Sequence, residues 1–293
     1  MPTRRDALKT AALSVGALAL TPTVVMSKTL EALEVAKREF KHSVCYWCYG
    51  SIPLEEFAEQ AKSLGISSIE LLGAEQWKTI QKQGLTCAIA TGSFANISEG
   101  FNKVANHAKL QKPYLQLIDQ AAEAGIPQVI VFSGNRGTGK NMITDAAGIE
   151  NCAKGLDKIV KHAEKKNVKV VMELLNSKVD HKDYQCDKTA WGVKLVNKIG
   201  SSQFRLLYDI YHMQIMEGDI IATIRKYKNY ISHYHTGGVP GRHEINASQE
   251  LNYKAIMTAI AELDYKGYVA QEYIPTYENK IAALKEGVDI CSV

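Results

Sequence analysis

Eight short β-rich runs, separated by longer amphipathic stretches, constrain the fold of this chain more than any other feature. They are "VCYWCYG" (44–50), "SSIELLG" (67–73), "TCAIATGS" (86–93), "QVIVFSGN" (128–135), "KVVMELLN" (169–176), "FRLLYDIYH" (204–212), "ISHYHTGG" (231–238) and "GYVAQEYIP" (267–275). Between them stand "PLEEFAEQAKSLG", "KPYLQLIDQAAEAG" and "IENCAKGLDKIVKHAEKKN", with apolar residues at three- and four-residue spacing and stops at Gly65, Gly125 and Asn167. Strands this apolar are buried on both faces, as in a parallel sheet covered by helices. No Pro/Ser-rich linker or composition break divides residues 40–293. The rhythm therefore predicts one α/β domain, a (β/α)8 barrel rather than an open doubly wound sheet. In such a barrel the chemistry gathers where strands pass into the loops that follow them.

That edge carries Glu173 in "VVMELLN", Asp209 in "LLYDIYH", His235 in "SHYHTGG" and Glu272 in "VAQEYIP". Each follows a mostly apolar strand, where an unpaired charge is costly. They come from the last four runs in succession, spaced by 36, 26 and 37 residues, about one strand–helix unit each. Three carboxylates aimed at one point repel one another and take up protons unless a cation sits among them. A divalent metal resolves the conflict. Oxygen ligands with one imidazole suit Mn²⁺, Mg²⁺ or Co²⁺, and Zn²⁺ is the further candidate.

Neighbouring residues are read around this centre. His233 and His235 lie two apart on one strand and share a face; His235, nearer the strand end, takes the ligand role and His233 a buried hydrogen-bonded one. Gly237, Gly238 and Gly241 let the next loop approach a small ligand, to which Arg242 offers a planar cation. Glu70 and Asn176 are candidates to orient substrate or to pair within the barrel, and Trp47 reads as core packing or, as the alternative, an aromatic wall over a sugar carbon chain. "SGNRGTGK" (133–140) lacks the spacing of a phosphate loop and is expected to be a flexible loop or lid. Cys45 and Cys48 form a C-x-x-C, but the run reads as strand and no second pair completes a thiolate site, so buried thiols are expected.

Over 169–275 the segments "MELLN", "YDIYHMQ", "VPGRHE" and "GYVAQEY" resemble the xylose-isomerase-like barrel superfamily, and within it most the hydroxypyruvate isomerases. The resemblance implies Glu173, Asp209, His235 and Glu272 as metal ligands, with Glu173 and Glu272 doubling as an acid–base pair. It also implies His212 and Arg242 as substrate contacts. In one respect the chain departs from that branch: hydroxypyruvate isomerases commonly carry Gln where His235 stands, and histidine there is the habit of the ketose 3-epimerases.

The expected activity is isomerisation of a small hydroxy-keto compound, in which the metal stabilises an enediolate as the glutamates move the proton. Return of the proton to the opposite face would give epimerisation instead. A metal-dependent endonuclease of the same superfamily needs more strand-end histidines and a basic face. Eight histidines in all, with 35 basic against 31 acidic residues, offer neither and favour a small-molecule partner over nucleic acid. A non-catalytic sugar-binding barrel has no use for two acid–base carboxylates. The composition is compatible with a homo-oligomer.

The chain opens with "TRRDALKTAALSVGALAL", in which Thr3, Arg4, Arg5, Leu8 and Lys9 resemble a twin-arginine export signal. Residues 1–26 are therefore read as a signal, 27–39 as a lead-in and 40–293 as the barrel, exported or periplasmic. Thr21, Pro22 and Thr23 interrupt the apolar stretch before a spanning length is reached, so no stable membrane span is expected after signal removal; an uncleaved anchor is the alternative. Replacing Arg4 and Arg5 together by Lys should strand the precursor inside the cell. Fractionation checks this, and unchanged export of the variant would exclude the pathway.

Overall fold

In the computed structural model, which describes residues 40–293, seven of the eight runs are regular strands. The signal-like 1–26 and the lead-in 27–39 lie outside the described residues. The strands are β1 (Lys41–Cys45), β2 (Ser68–Glu70), β3 (Gln128–Val131), β4 (Lys169–Leu174), β5 (Phe204–Asp209), β6 (Ile231–Thr236) and β7 (Tyr268–Gln271). They form one parallel sheet in the order β2-β1-β7-β6-β5-β4-β3. Nine helices among the described residues connect them: α1 (Leu54–Ser63), α2 (Ala74–Gln81), α3 (Val104–Glu123), α4 (Asp145–Lys166), α5 (Thr189–Ile199), α6 (Ile210–Met216), α7 (Ile220–Tyr227), α8 (Tyr253–Glu262) and α9 (Lys280–Cys291).

The run at 86–93 is where the regular pattern fails, and it is also what closes the barrel. Thr86 bridges Ser68, while Ala90 bridges Leu72 on one side and Val129 on the other, all in parallel. Ala90 N donates to Gln128 O at 2.8 Å and Leu71 N to Ile89 O at 2.8 Å, so the segment spans the gap between β2 and β3. Its ladder is interrupted because Ala88 N donates to the Ser68 hydroxyl (2.8 Å) instead of to a carbonyl. The (β/α)8 plan thus holds with one strand reduced to bridges.

Other boundaries move for identifiable reasons. The first run leaves the sheet at Cys45 and turns as a short 3₁₀ segment over Tyr46–Tyr49, so the C-x-x-C joins a strand end to a turn. All six cysteines are buried free thiols, as expected. The run at 204–212 stops at Asp209, whose carboxylate accepts from His212 N (2.9 Å) and caps α6, so His212 stands on a helix. Lys112–Pro113 reads as a helix start, yet α3 begins at Val104 with Pro113 inside. The buried face Leu110, Tyr114, Leu117, Ile118 and Ala121 outweighs the proline's lost hydrogen bond. The stops at Gly65, Gly125 and Asn167 have φ of 82°, 70° and 54°, the left-handed geometry that ends a helix.

One irregularity positions the site. Leu206 pairs with Ile231 but Leu207 with His233, a one-residue slip that leaves Ser232 unpaired and aligns Asp209 with His235. Parallel neighbours in register face the same side of the sheet. Without the bulge Asp209 would pair with Tyr234, and the His235 imidazole would face the helices.

Closure through Ser68 is testable. Ser68 is fully buried, so Ser68→Ala strands the Ala88 N–H and should cost about 1–3 kcal/mol, read from denaturant midpoints at unchanged slope.

Candidate active site

Glu173 comes from β4, Asp209 ends β5, His235 lies on β6 and Glu272 follows β7, so four adjacent strands deliver them to the C-terminal mouth of the barrel. One ligand atom from each lies within 4.8 Å of the other three, and all four residues are buried. His235 Nδ1 is 2.8 Å from Glu272 Oε2, 3.3 Å from Glu173 Oε1 and 4.0 Å from Asp209 Oδ2.

Two cations offset the three carboxylates. Arg242 donates through one terminal nitrogen to Glu272 Oε2 at 2.6 Å and to Asp209 Oδ2 at 3.4 Å. The loop that carries it folds back on itself, with Gly238 N on His243 O and Arg242 N on Gly238 O, both at 2.9 Å. A Cβ at Gly238 would stand 2.3 Å from Glu244 O, so only glycine permits this turn. Arg242 itself is held at φ 58° and packed over Trp47 and Tyr211, its guanidinium 5.1 and 5.4 Å from the ring centres. His235 is the second cation: burial alone would lower its pKa, but the Cys45 thiol and the Glu272 carboxylate beside it raise it well above the usual histidine value.

The carboxylates divide accordingly. Burial raises Asp209 and Glu173, and neighbouring charges do not cancel the effect. Burial acts on Glu272 too, but Arg242 and His235 outweigh it and hold that carboxyl well below the ordinary range. Glu173 Oε1 has no hydrogen-bond partner although it is buried. A buried anionic oxygen left unpaired beside three other donors is what a cation site presents, and the donor set of three carboxylates and one imidazole fits a divalent ion.

The remaining sequence candidates fall on two levels. At the mouth, Asn176 Nδ2 donates to His212 Nδ1 (2.7 Å), which puts the His212 proton on Nε2. That Nε2 is buried without a partner, 3.7 Å from Asp209 Oδ2, and burial keeps the ring neutral by lowering its pKa well below the usual value. Below the mouth, Glu70 is fully buried and reaches His235 Nε2 from the far side of the ring at 2.8 Å. His233 is buried as expected, with Nδ1 accepting from Gln128 at 3.3 Å.

Trp47 is not core packing but stands at the site, the alternative the sequence left open: it is 46% exposed and its indole N–H donates to Glu272 Oε1 at 2.7 Å. Its place just past the first strand end was the available signal. In the "SGNRGTGK" loop Arg136 pairs with Asp187 at 3.0 Å.

A family model described as xylose isomerase-like TIM barrel matches residues 58–291. The chain belongs to that family. Within it, a putative hydroxypyruvate isomerase of Homo sapiens is 25% identical over 250 residues, covering 85% of this chain and 81% of that protein. A 2-oxo-tetronate isomerase of Pectobacterium atrosepticum is 24% identical over 238 residues, 78% of this chain and 88% of the relative. Among solved structures, a D-psicose 3-epimerase from Clostridium cellulolyticum H10, determined with D-tagatose, superposes with a TM-score of 0.70 at 18% identity, covering 86% of this chain and 98% of that one. The family's barrel is thus shared across these proteins. Among the described residues no helix is long and apolar enough to cross a membrane.

The Glu70 layer predicts an acid response. Burial alone would raise the Glu70 carboxyl; the His233 and His235 imidazoles outweigh it and hold it at about 2, below the usual 4.5. A depressed carboxyl stabilises the fold above its unfolded pKa and loses that contribution as pH falls from about 4.5 towards 2. Urea midpoints of the metal-free chain should therefore fall more steeply below pH 4.5 for the native sequence than for Glu70→Gln.

Proposed function

We propose that this protein is a metal-dependent isomerase of small hydroxy-keto compounds, of the hydroxypyruvate isomerase type, moving a proton between neighbouring carbons. The observation that carries the reading is the buried cluster of Glu173, Asp209, His235 and Glu272, in which Glu173 Oε1 makes no hydrogen bond. Relatives named for hydroxypyruvate and 2-oxo-tetronate isomerisation over most of the chain support the substrate class.

In this reading the four residues hold one divalent ion, Mn²⁺, Mg²⁺ or Co²⁺ before Zn²⁺. Bound there, the ion would polarise the substrate carbonyl and stabilise negative charge on the enediolate. Glu173, whose pKa burial raises, takes the carbon-bound proton through its unpaired oxygen. Glu173 then delivers that proton to the neighbouring carbon, while Glu272, standing on another strand, takes the proton of the substrate hydroxyl and passes it to the former carbonyl oxygen. Trp47 fixes one Glu272 oxygen, while Arg242 holds the other until a substrate arrives. A substrate carboxylate or hydroxyl that draws Arg242 away removes the charge that keeps Glu272 acidic, and so raises its basicity when a base is needed. The neutral His212 offers its Nε2 proton to a substrate oxygen and is kept in that tautomer by Asn176.

Epimerisation at the carbon next to the keto group is the second reading. The imidazole of His235, at a position where the resembling isomerases carry an amide, favours it.

Incubation of the metal-loaded protein with hydroxypyruvate, 2-oxo-tetronate and a panel of ketoses in D₂O distinguishes the two: deuterium should enter the exchanged carbon, and the product identifies the outcome. Protein prepared without chelator should hold about one equivalent of divalent metal, and a folded chain that no such ion loads would overturn the site. Glu173→Gln and Glu272→Gln, with metal restored, should each lose at least ~10²-fold in kcat. Full activity in either variant removes that residue from proton transfer.

A further inference from the structure

Glu70 lies beneath His235, on the face of the ring's far nitrogen, in a layer that substrate cannot reach. Its Oε2 accepts from the Ser43 hydroxyl at 2.5 Å, and Ser43 also reaches Ser68 O at 3.1 Å. Its Oε1 faces His235 Nε2 at 2.8 Å, His233 Nε2 at 2.9 Å and Cys45 Sγ at 3.9 Å. Glu70, Ser43, His233 and His235 are all fully buried. Both carboxylate oxygens are therefore committed inside the barrel, and Glu70 is not placed to contact substrate.

A neutral imidazole carries one N–H, and its other nitrogen offers a lone pair. In the metal-free chain both nitrogens of His235 face carboxylate oxygens at 2.8 Å, so once a metal displaces the proton from Nδ1 the remaining one stays on Nε2, held by Glu70. Nδ1 then presents its lone pair towards Glu272, Glu173 and Asp209, at 2.8, 3.3 and 4.0 Å. Gln128, donating to His233 Nδ1, puts that ring's proton on Nε2, which faces the same Glu70 oxygen at 2.9 Å.

We propose that Glu70 is a positioning residue for metal binding: it locks the His235 proton on Nε2 so that Nδ1 is the ligand atom. Ser43 steadies Glu70 by occupying its other oxygen. Carboxylates that accept from the second nitrogen of a ligating histidine typically strengthen binding about 10- to 100-fold. The inference rests on the metal-site reading above, and its test separates the two.

The full chain, native and with Glu70→Ala, Glu70→Leu or Glu70→Gln, is titrated with Mn²⁺ while free Mn²⁺ is followed by electron paramagnetic resonance; folding is checked by circular dichroism. Histidine-labelled, Zn²⁺-loaded native protein is examined by ¹⁵N spectra that report which ring nitrogen of His235 bears the proton. The expected result is a proton on Nε2, and an Mn²⁺ dissociation constant raised about 10- to 100-fold in Glu70→Ala. Glu70→Leu, which keeps the volume filled, gives the same loss where the alanine cavity unfolds the barrel. Glu70→Gln, whose amide oxygen still accepts from Nε2, recovers most of the affinity. Native-like affinity in a folded Glu70→Ala or Glu70→Leu chain overturns the inference, as does a His235 proton on Nδ1. Native protein that binds neither ion overturns the metal site itself, and this inference with it.

Discussion

Three carboxylates converge at the mouth of the barrel, and their mutual repulsion is the constraint that the rest of the site answers. At about 4 Å and an effective dielectric near 20, each pair of like charges costs on the order of 4 kcal/mol. Glu173, Asp209 and Glu272 are nevertheless buried and mutually close. Each compensating group reaches them through a departure from regular structure. The bulge at Ser232 turns His235 inward, the tight turn at Gly238 delivers Arg242, and the 3₁₀ segment after β1 carries Trp47 to Glu272. Irregular backbone thus serves the balance of charge at the mouth.

The barrel interior adds a second layer to that balance. Glu70 is a fourth buried carboxylate close to the first three, tolerated because Ser43 and His235 donate to it and His233 lies alongside. His235 thus stands between two acidic layers with a nitrogen for each. Histidine can do this because its two ring nitrogens reach opposite partners, Nδ1 to Glu272 and Nε2 to Glu70, each at 2.8 Å.

Much of this was legible in the sequence, and the failures have physical causes. Alternating periods of strand and helix specified the barrel. A charge after each of the last four apolar runs specified the cluster, because a charge buried at a strand end is too costly to keep without a partner or an ion. The third strand failed because a side-chain hydroxyl, Ser68, replaces a ladder acceptor, an exchange no periodicity records. Pro113 misled at α3 because tertiary packing outweighed a local preference. Glu70 carried the same strand-end signature as the cluster, and its depth follows from the register of β1 and β2, which pairs it with Cys45 rather than with the mouth. Trp47 left core packing and an aromatic wall both open, because its polar handle is one N–H on a ring that otherwise looks like core.

Charge balance also bears on which substrates the site would accept. As described, Glu173, Asp209 and Glu272 face the guanidinium of Arg242 and the raised imidazole of His235. For His235 to ligate through Nδ1 it has to lose that proton, so ion binding would exchange one positive charge for two. The mouth would then be near neutral, with Arg242 released from carboxylates that no longer need it. A guanidinium freed in this way, over an aromatic floor of Trp47 and Tyr211, is suited to a planar anionic group on the substrate or to the oxyanion that forms during proton transfer. On the proposed reading, the carboxylate of a keto acid would give Arg242 a charged partner in place of the two hydrogen bonds it gives up, where a neutral sugar would offer hydroxyls.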